Sequence, residues 1–196
     1  MQLFQTIAAE LLAVLAHLGL TERGLSGDGR GMTDYSALPY RPCVGVMLVN
    51  AQGLVFVGKR FDNREYGVNE GDAWQMPQGG IDDGEDLQTA AYRELAEETG
   101  VTADLVTLIA QTHEELLYDL PDDMIGKLWK GRYRGQRQHW MLARFSGEDS
   151  HVRLDAHDPA EFSEWKWVEP DQLPDLIVPF KKRVYRAVLA EFRDLI

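Results

Sequence analysis

Cysteine is almost missing from this 196-residue sequence, which contains a single one, Cys43. One thiol cannot form an internal disulfide, and a cysteine zinc site is disfavoured for the same reason. Cys43 also lies in the apolar run 43–49, where a buried structural thiol is far more common than a nucleophile. We therefore predict a structural cysteine in a protein of the reducing cytoplasm.

Basic residues are also scarce, since 20 Lys and Arg stand against 32 Asp and Glu and give a formal net charge of -12. This balance disfavours non-specific nucleic-acid binding, because affinity for phosphates comes mainly from Lys and Arg. Any nucleic-acid substrate must therefore meet a local basic patch.

The N-terminal segment has no Lys or Arg before Arg23, although its first twenty residues are largely apolar. A secretory signal peptide needs a basic start, and Glu10 interrupts a run that is too short for a comfortable membrane span. We expect no membrane partner. Residues 1–31 are predicted to be an extension made of a helix and a Gly-rich linker, and its native origin stays open. Residues 32–196 are then one domain.

Apolar runs and turn residues predict strands that alternate irregularly with helices, which favours a mixed sheet between helices and an α/β fold. The predicted strands are 43–49, 54–57, 105–112, 137–145 and 163–168. Residues 62–72 are expected to be a loop, and 74–80 an irregular, tightly turned segment. Helices are expected at 86–98, where Gly100 ends the helix, and at 180–195.

Three carboxylates of the 86–98 helix, those of Glu94, Glu97 and Glu98, are spaced at i, i+3 and i+4 and share one side. They repel one another unless a cation is present. A solvated acidic face is the usual interpretation of such a helix, but Glu94 and Glu98 fall on the apolar stripe that faces the core. Buried carboxylates need partners, and clustered carboxylate oxygens suit Mg²⁺ or Mn²⁺. The spacing therefore favours a site for a divalent metal cation.

The segment 79–101 has the sequence GGIDDGEDLQTAAYRELAEETGV. Its fixed positions are Gly79, Glu85, Arg93-Glu94-Leu95, Glu97-Glu98 and Gly100-Val101. This spacing resembles the Nudix box at every specified position. The resemblance implies the Nudix fold, an α/β/α sandwich around a mixed β-sheet. It also implies a hydrolase that cleaves a nucleoside diphosphate linked to another group.

The resemblance also assigns roles to residues of the box. Glu94, Glu97 and Glu98 would be catalytic and would bind the metal, with help from the backbone carbonyl of Gly79. One of these carboxylates, or a further glutamate, would deprotonate water. Glu85 and Arg93 would brace the loop and the helix.

Sequences outside the box resemble one subgroup, the RNA pyrophosphohydrolases that trim triphosphorylated transcripts, and the related asymmetric diadenosine tetraphosphate hydrolases. The resemblance covers residues 38–195 and is carried by 40–42, 74–81, 135–140, 161–167 and 179–181. It implies that Glu161 adds a fourth carboxylate to the metal site. It also implies substrate contacts at Arg41, Arg60, Val178, Phe180 and Lys181.

A local basic segment runs from Met124 to Gly147, which contains no Asp or Glu but six Lys and Arg, interleaved with Trp129, Tyr133 and Trp140. Such a segment suits phosphates and bases, and it equally suits a basic surface that balances the acidic helix, so both interpretations stay open.

The expected substrate is the 5′ end of triphosphorylated RNA, whose pyrophosphate would be removed to promote mRNA decay. Dinucleoside polyphosphates such as diadenosine tetraphosphate are the main alternative. An inactive Nudix module that only binds nucleotides or RNA is a further one, disfavoured because every box glutamate is present.

Overall fold

The computed structural model describes residues 35–61 and 74–196. The predicted extension 1–31 and the predicted loop 62–72 lie outside these residues. Among the helices that are described, none is long and apolar enough to cross a membrane.

Eight strands and three helices make up the described part of the chain. The strands are β1 (Tyr40–Val49), β2 (Val55–Arg60), β3 (Trp74–Gln75), β4 (Gln78–Gly80), β5 (Val106–Gln111), β6 (Leu116–Asp119), β7 (Gly135–Phe145) and β8 (Phe162–Val168). The helices are α1 (Leu87–Thr99), the single turn α2 (Leu173–Leu176) and α3 (Lys182–Phe192).

The strands form one mixed sheet, with its main path in the order β3-β2-β1-β7-β5. The central strands β1 and β7 run parallel over ten paired positions, and the other pairs are antiparallel. On its other side β1 pairs with β4 near Cys43 and with β2 near Val49. The central pair therefore carries elements from distant parts of the chain.

Two apolar cores lie on opposite faces of the sheet, because successive side chains of a strand point to opposite faces. In β1, Val44, Val46 and Leu48 pack with α1, whereas Met47 and Val49 pack with α3. Strand β7 alternates in the same way, with Met141 on the α1 face and Trp140 on the α3 face. The predicted sandwich around a mixed sheet is confirmed.

Helix α1 begins and ends where its sequence provides caps. The Asp86 side chain accepts hydrogen bonds from the backbone N–H groups of Gln88 and Thr89, both at 3.0 Å. At the other end Gly100 adopts a left-handed conformation with φ of 72°, and its N–H donates to the Ala96 carbonyl. This is the C-terminal cap that the sequence predicts.

Several predicted boundaries differ from the structure. Residues 74–80 are not wholly irregular, since β3 and β4 flank Met76 and Pro77. The last helix begins at Lys182 rather than 180, because Pro179–Lys181 form a separate 3₁₀ turn before it. Strand β6 is absent from the sequence prediction. It has only four residues and is held by pairing with β7.

Candidate active site

A cavity of about 350 Å³ opens where the N-terminal end of β1, strand β4 and helix α1 meet. The described residues that line it are Arg41, Arg60, Gln78, Gly79, Gly80, Glu94, Glu97, Lys127, Leu128, Trp129, Gln136 and Glu161. Six of the predicted site residues are therefore together, namely Arg41, Arg60, Gly79, Glu94, Glu97 and Glu161.

The carboxylates of α1 differ in depth. Glu98 is 1% exposed, Glu94 is 7% exposed, and the Glu97 side chain is 38% exposed. The sequence prediction that Glu94 and Glu98 share the core-facing stripe is confirmed. This face of α1 carries charge into the protein interior, which costs free energy unless partners are present.

Glu98 has an incomplete set of partners. Its Oε2 accepts a hydrogen bond from the backbone N–H of Gln78 at 3.0 Å. Its Oε1 is buried and has no hydrogen-bond partner among the described residues. Burial raises the pKa of Glu98 well above its usual range, and the negative charges of Glu161 and Glu94 raise it further. A buried carboxylate oxygen without a donor is suited to bind a positively charged group.

Glu94 lies directly against the backbone of β4. A Cβ atom at Gly79 would be 2.0 Å from the Glu94 carboxyl group, so any larger residue there would displace that carboxylate. Burial raises the pKa of Glu94, although its ion pair with Arg93 opposes that shift.

Arg93 connects the loop before α1 with the helix itself. Its Nε and Nη2 donate to the two carboxylate oxygens of Glu85, both at 2.8 Å, and Nη2 also donates to the Gly80 carbonyl at 2.8 Å. Its Nη1 donates to Glu94 at 2.7 Å and to Glu97 at 3.3 Å. The hydrogen bond from Arg93 is the main reason that the pKa of Glu85 is lowered. One guanidinium thus fixes the distance between β4, the loop and the carboxylates.

No three carboxylate, imidazole or thiol side chains converge as a ready-made metal ligand set within residues 35–61 and 74–196. Glu94 and Glu97 instead share Arg93. Arg93 contacts only Oε1 of Glu94 and Oε2 of Glu97, so the second oxygen of each carboxylate can bind a cation.

Positive charge in the cavity lining comes from separate elements. Arg60 at the end of β2 donates to Glu161 at 2.8 Å. The Arg41 guanidinium lies 5.6 Å from the centre of the Trp129 ring. Trp129 and Lys130 both have left-handed backbone conformations, with φ of 49° and 59°, in the 3₁₀ turn Leu128–Gly131. This turn brings Lys127, Leu128 and Trp129 to the cavity.

The basic segment 124–147 divides between two roles. Lys127 lines the cavity, as a phosphate-binding residue would. Arg134 and Arg137 instead form ion pairs with Asp119 and Glu115, at 2.7 and 3.2 Å. Two of the six basic residues therefore balance neighbouring acids, and one lines the cavity.

Three predicted substrate residues, Val178, Phe180 and Lys181, are not among the described residues that line the cavity. Val178 and Lys181 are buried at 5% and 2% exposure. The half-buried Phe180 ring lies 5.7 Å from the Tyr118 ring, and Lys181 Nζ lies 5.4 Å from that same ring. Burial, together with the positive charge of Arg60, lowers the pKa of Lys181 to about 7.

Sequence reasoning gave no individual role to Gln78, Gln136, Lys127 and Trp129, which all line the cavity. Gln78 and Gln136 belong to segments that carry the family resemblance, and Lys127 and Trp129 belong to the basic segment. Those segments were the available signal, but strand register decides which of their residues face the cavity.

The fold and the site define the class of protein. Residues 39–188 match the NUDIX domain, and the chain belongs to this family. Among its relatives, the RNA pyrophosphohydrolase of Novosphingobium aromaticivorans is 72% identical over 162 residues, which are 83% of this chain and 98% of that protein. The RNA pyrophosphohydrolase of Erythrobacter litoralis is 61% identical over 166 residues, which are 85% and 98% of the two chains.

Solved structures share the fold at much lower sequence identity. A C. elegans Ap4A hydrolase binary complex has a TM-score of 0.56 at 21% identity and covers 79% of this chain and 98% of that one. The E. coli dihydroneopterin triphosphate pyrophosphohydrolase has a TM-score of 0.58 at 19% identity and covers 75% and 94%. These likenesses support the fold alone.

Proposed function

We propose that this chain is a metal-dependent pyrophosphohydrolase that removes pyrophosphate from the 5′ end of triphosphorylated RNA and so promotes mRNA decay. The observation that carries the proposal is one cavity whose lining contains both Arg41, Arg60 and Lys127 and Glu94, Glu97 and Glu161. A phosphate chain needs the first set, and a divalent cation needs the second. The relatives named RNA pyrophosphohydrolase, at 72% and 61% identity, support RNA as the substrate.

The positive side chains would bind the phosphates. Arg41 is held beside Trp129 and Arg60 beside Glu161, so both guanidinium groups are placed before a substrate arrives. Such placement lowers the cost of ordering them on binding. Lys127, which directly precedes the turn Leu128–Gly131, adds a third positive charge to the lining.

Mg²⁺ or Mn²⁺ would be held by Glu94, Glu97, Glu98 and Glu161, with the Gly79 carbonyl. The residues present fit such an ion in two respects. The buried Oε1 of Glu98 has no hydrogen-bond partner among the described residues, and the mutual repulsion of Glu94, Glu98 and Glu161 raises the pKa of Glu98 in addition to burial. When bound, the cation supplies neutralisation of the phosphate charge and activation of water. One of the carboxylates would accept the proton of the attacking water.

The first base of the RNA would be held by Val178, Phe180 and Lys181. Phe180 is half-buried, and the centre of its ring lies 5.7 Å from that of the Tyr118 ring. Base stacking on an accessible aromatic ring is sequence-tolerant and contributes about 1–3 kcal/mol.

The test is parallel turnover of 5′-triphosphorylated RNA and diadenosine tetraphosphate by one preparation. We expect RNA to have the higher kcat/KM, chelation to abolish turnover, and added Mg²⁺ or Mn²⁺ to restore it. A preference for the dinucleotide would replace RNA with dinucleoside polyphosphates as the substrate class. Binding of either substrate without turnover in the presence of metal would mean a binding module. Full activity in excess chelator would contradict the metal site.

A further inference from the structure

Three buried glutamines are joined beneath the cavity. Gln78 lies on β4, and Gln136 and Gln138 lie two positions apart on β7. The Nε2 group of Gln138 donates to Oε1 of Gln78 at 3.0 Å and to Oε1 of Gln136 at 2.9 Å. A side-chain amide has two N–H groups, so Gln138 uses both of them on its two neighbours.

Trp140 determines which way the Gln138 amide faces. Its indole Nε1–H donates to Oε1 of Gln138 at 3.2 Å. An indole can only donate, so the atom opposite it must be the amide oxygen. If Gln138 turned over, two buried donors would face each other, and the fully buried Trp140 would have no acceptor there. The indole therefore fixes the orientation of Gln138.

The orientation of Gln138 determines how the side-chain amides of Gln78 and Gln136, which line the cavity, are oriented. Because the Oε1 atoms of Gln78 and Gln136 accept from Gln138, their Nε2 groups are the part of each amide left to serve the cavity. An amide N–H donates to an anionic phosphate oxygen, whereas an amide carbonyl would repel it. Arg41 is paired in register with Gln136 on the neighbouring strand and adds charge at the same level.

We propose that Trp140 and Gln138 are positioning residues, which hold the amides of Gln78 and Gln136 with their N–H groups towards the phosphate chain of the substrate. The inference rests on the proposed function and deepens it, since it assigns neutral phosphate donors to the cavity floor. Neither Trp140 nor Gln138 lines the cavity among the described residues, so they act through Gln78 and Gln136.

The experiment measures the contribution of the 5′ phosphates to binding. Two RNAs of one sequence, with a 5′ triphosphate or a 5′ hydroxyl, are titrated with protein in a Glu98→Gln background, in which turnover is expected to be about a hundredfold slower, so that binding is measured before cleavage. Gln138→Leu should raise the Kd of the triphosphorylated RNA by about tenfold, since hydrogen bonds to charged groups are weakened. The Kd of the hydroxyl RNA should not change.

Trp140→Phe removes the indole N–H that orients Gln138 and leaves Gln138 itself in place. It should shift the Kd of triphosphorylated RNA in the same direction but less far. The double variant should be no worse than Gln138→Leu alone, because both changes act on one amide. Gln75→Leu is the matched control. It removes another buried glutamine, 4% exposed, that does not line the cavity, and should leave the difference between the two RNAs unchanged.

When Gln138→Leu and Trp140→Phe are made in the wild-type protein, each should raise the KM for triphosphorylated RNA and leave kcat unchanged. The melting temperature is measured on the same samples. Equal weakening of both RNAs, or additive effects of the two changes, would overturn the inference. If Gln138→Leu does not fold, Trp140→Phe alone still decides, because an unchanged ratio of the two Kd values contradicts it. Failure of the proposed function is separate, since it would show as no turnover of triphosphorylated RNA by the unmodified protein.

Discussion

Helix α1 and the segment 178–181 both hold residues assigned to the site, but their side chains are placed by different means. The α1 carboxylates are positioned by spacing within one helix and by Arg93, which joins them to Glu85 and Gly80. The segment 178–181 is positioned by packing against β6, where Phe180 and Lys181 meet Tyr118. Local sequence can specify the first arrangement, whereas only the assembled fold can specify the second.

Glu98→Gln tests the strongest part of the α1 arrangement. The variant keeps an oxygen that can accept from the Gln78 N–H, but it loses the charge that a cation needs. We expect turnover to fall by about a hundredfold or more while the melting temperature is kept or rises. Glu191→Gln on α3 is the control, because that side chain accepts from the His113 N–H away from the cavity. Turnover near the wild-type rate would remove Glu98 from the site.

Gly79→Ala tests whether β4 and α1 must approach as closely as they do. Its Cβ would lie 2.0 Å from the Glu94 carboxyl, so the carboxylate must move. A displacement of this size should lower kcat by about ten- to a hundredfold. Gly84→Ala has nothing within 4 Å of the added Cβ, although its φ of 82° adds strain. That control should lower the melting temperature slightly and keep activity; equal activity of the two variants would show that Glu94 can shift freely.

Phe180→Ala tests the packed segment. If the accessible part of the ring stacks on a base, kcat/KM for RNA should fall by about tenfold, and the loss should shrink on substrates without a base. Kinetics and melting curves are measured on one preparation. A large fall in melting temperature with unchanged substrate preference would make Phe180 a packing residue only.

The smallest expected effect is that of Lys181→Met on the melting temperature, and this effect depends on pH. Its pKa is about 7 in the folded protein and 10.5 as the ordinary value. Between these values the unfolded chain binds a proton that the folded protein does not, so its contribution to stability rises with pH in that window. Lys181→Met should therefore raise the melting temperature by several degrees near pH 7, and the gain should diminish towards pH 10. A gain that is constant with pH would contradict the shifted pKa.

Features that depend on local sequence could be predicted, whereas features that depend on the assembled fold could not. The limits of α1, its caps and the depth of Glu94 and Glu98 could be predicted because they depend on residues within about a dozen positions. Strand β1 was predicted to begin at residue 43, but it begins at Tyr40. Pro42 lies near the start of the strand, and its carbonyl accepts from the Ile81 N–H.

The contacts among the buried glutamines and those of Trp129 could not be predicted from local sequence. Gln78 meets Gln138 only because β4 and β7 flank β1 from opposite sides. Trp129 meets Arg41 only through a turn with left-handed backbone at two residues that are not glycine. Such contacts depend on strand register and on strained turns, neither of which periodicity in the sequence reports.

The parallel pairing of β1 with β7 also has a consequence for synthesis of the protein. The ten paired positions join residues 40–49 to residues 135–144, about ninety-five residues later in the chain. Until β7 leaves the ribosome, one edge of β1 lacks its partner strand, and its apolar side chains on both faces lack part of their cover. Contacts of such long sequence separation form slowly, and unpaired apolar edges promote aggregation. We therefore expect nascent chains that end before residue 135 to require a chaperone, and the cavity to form only at a late stage of translation.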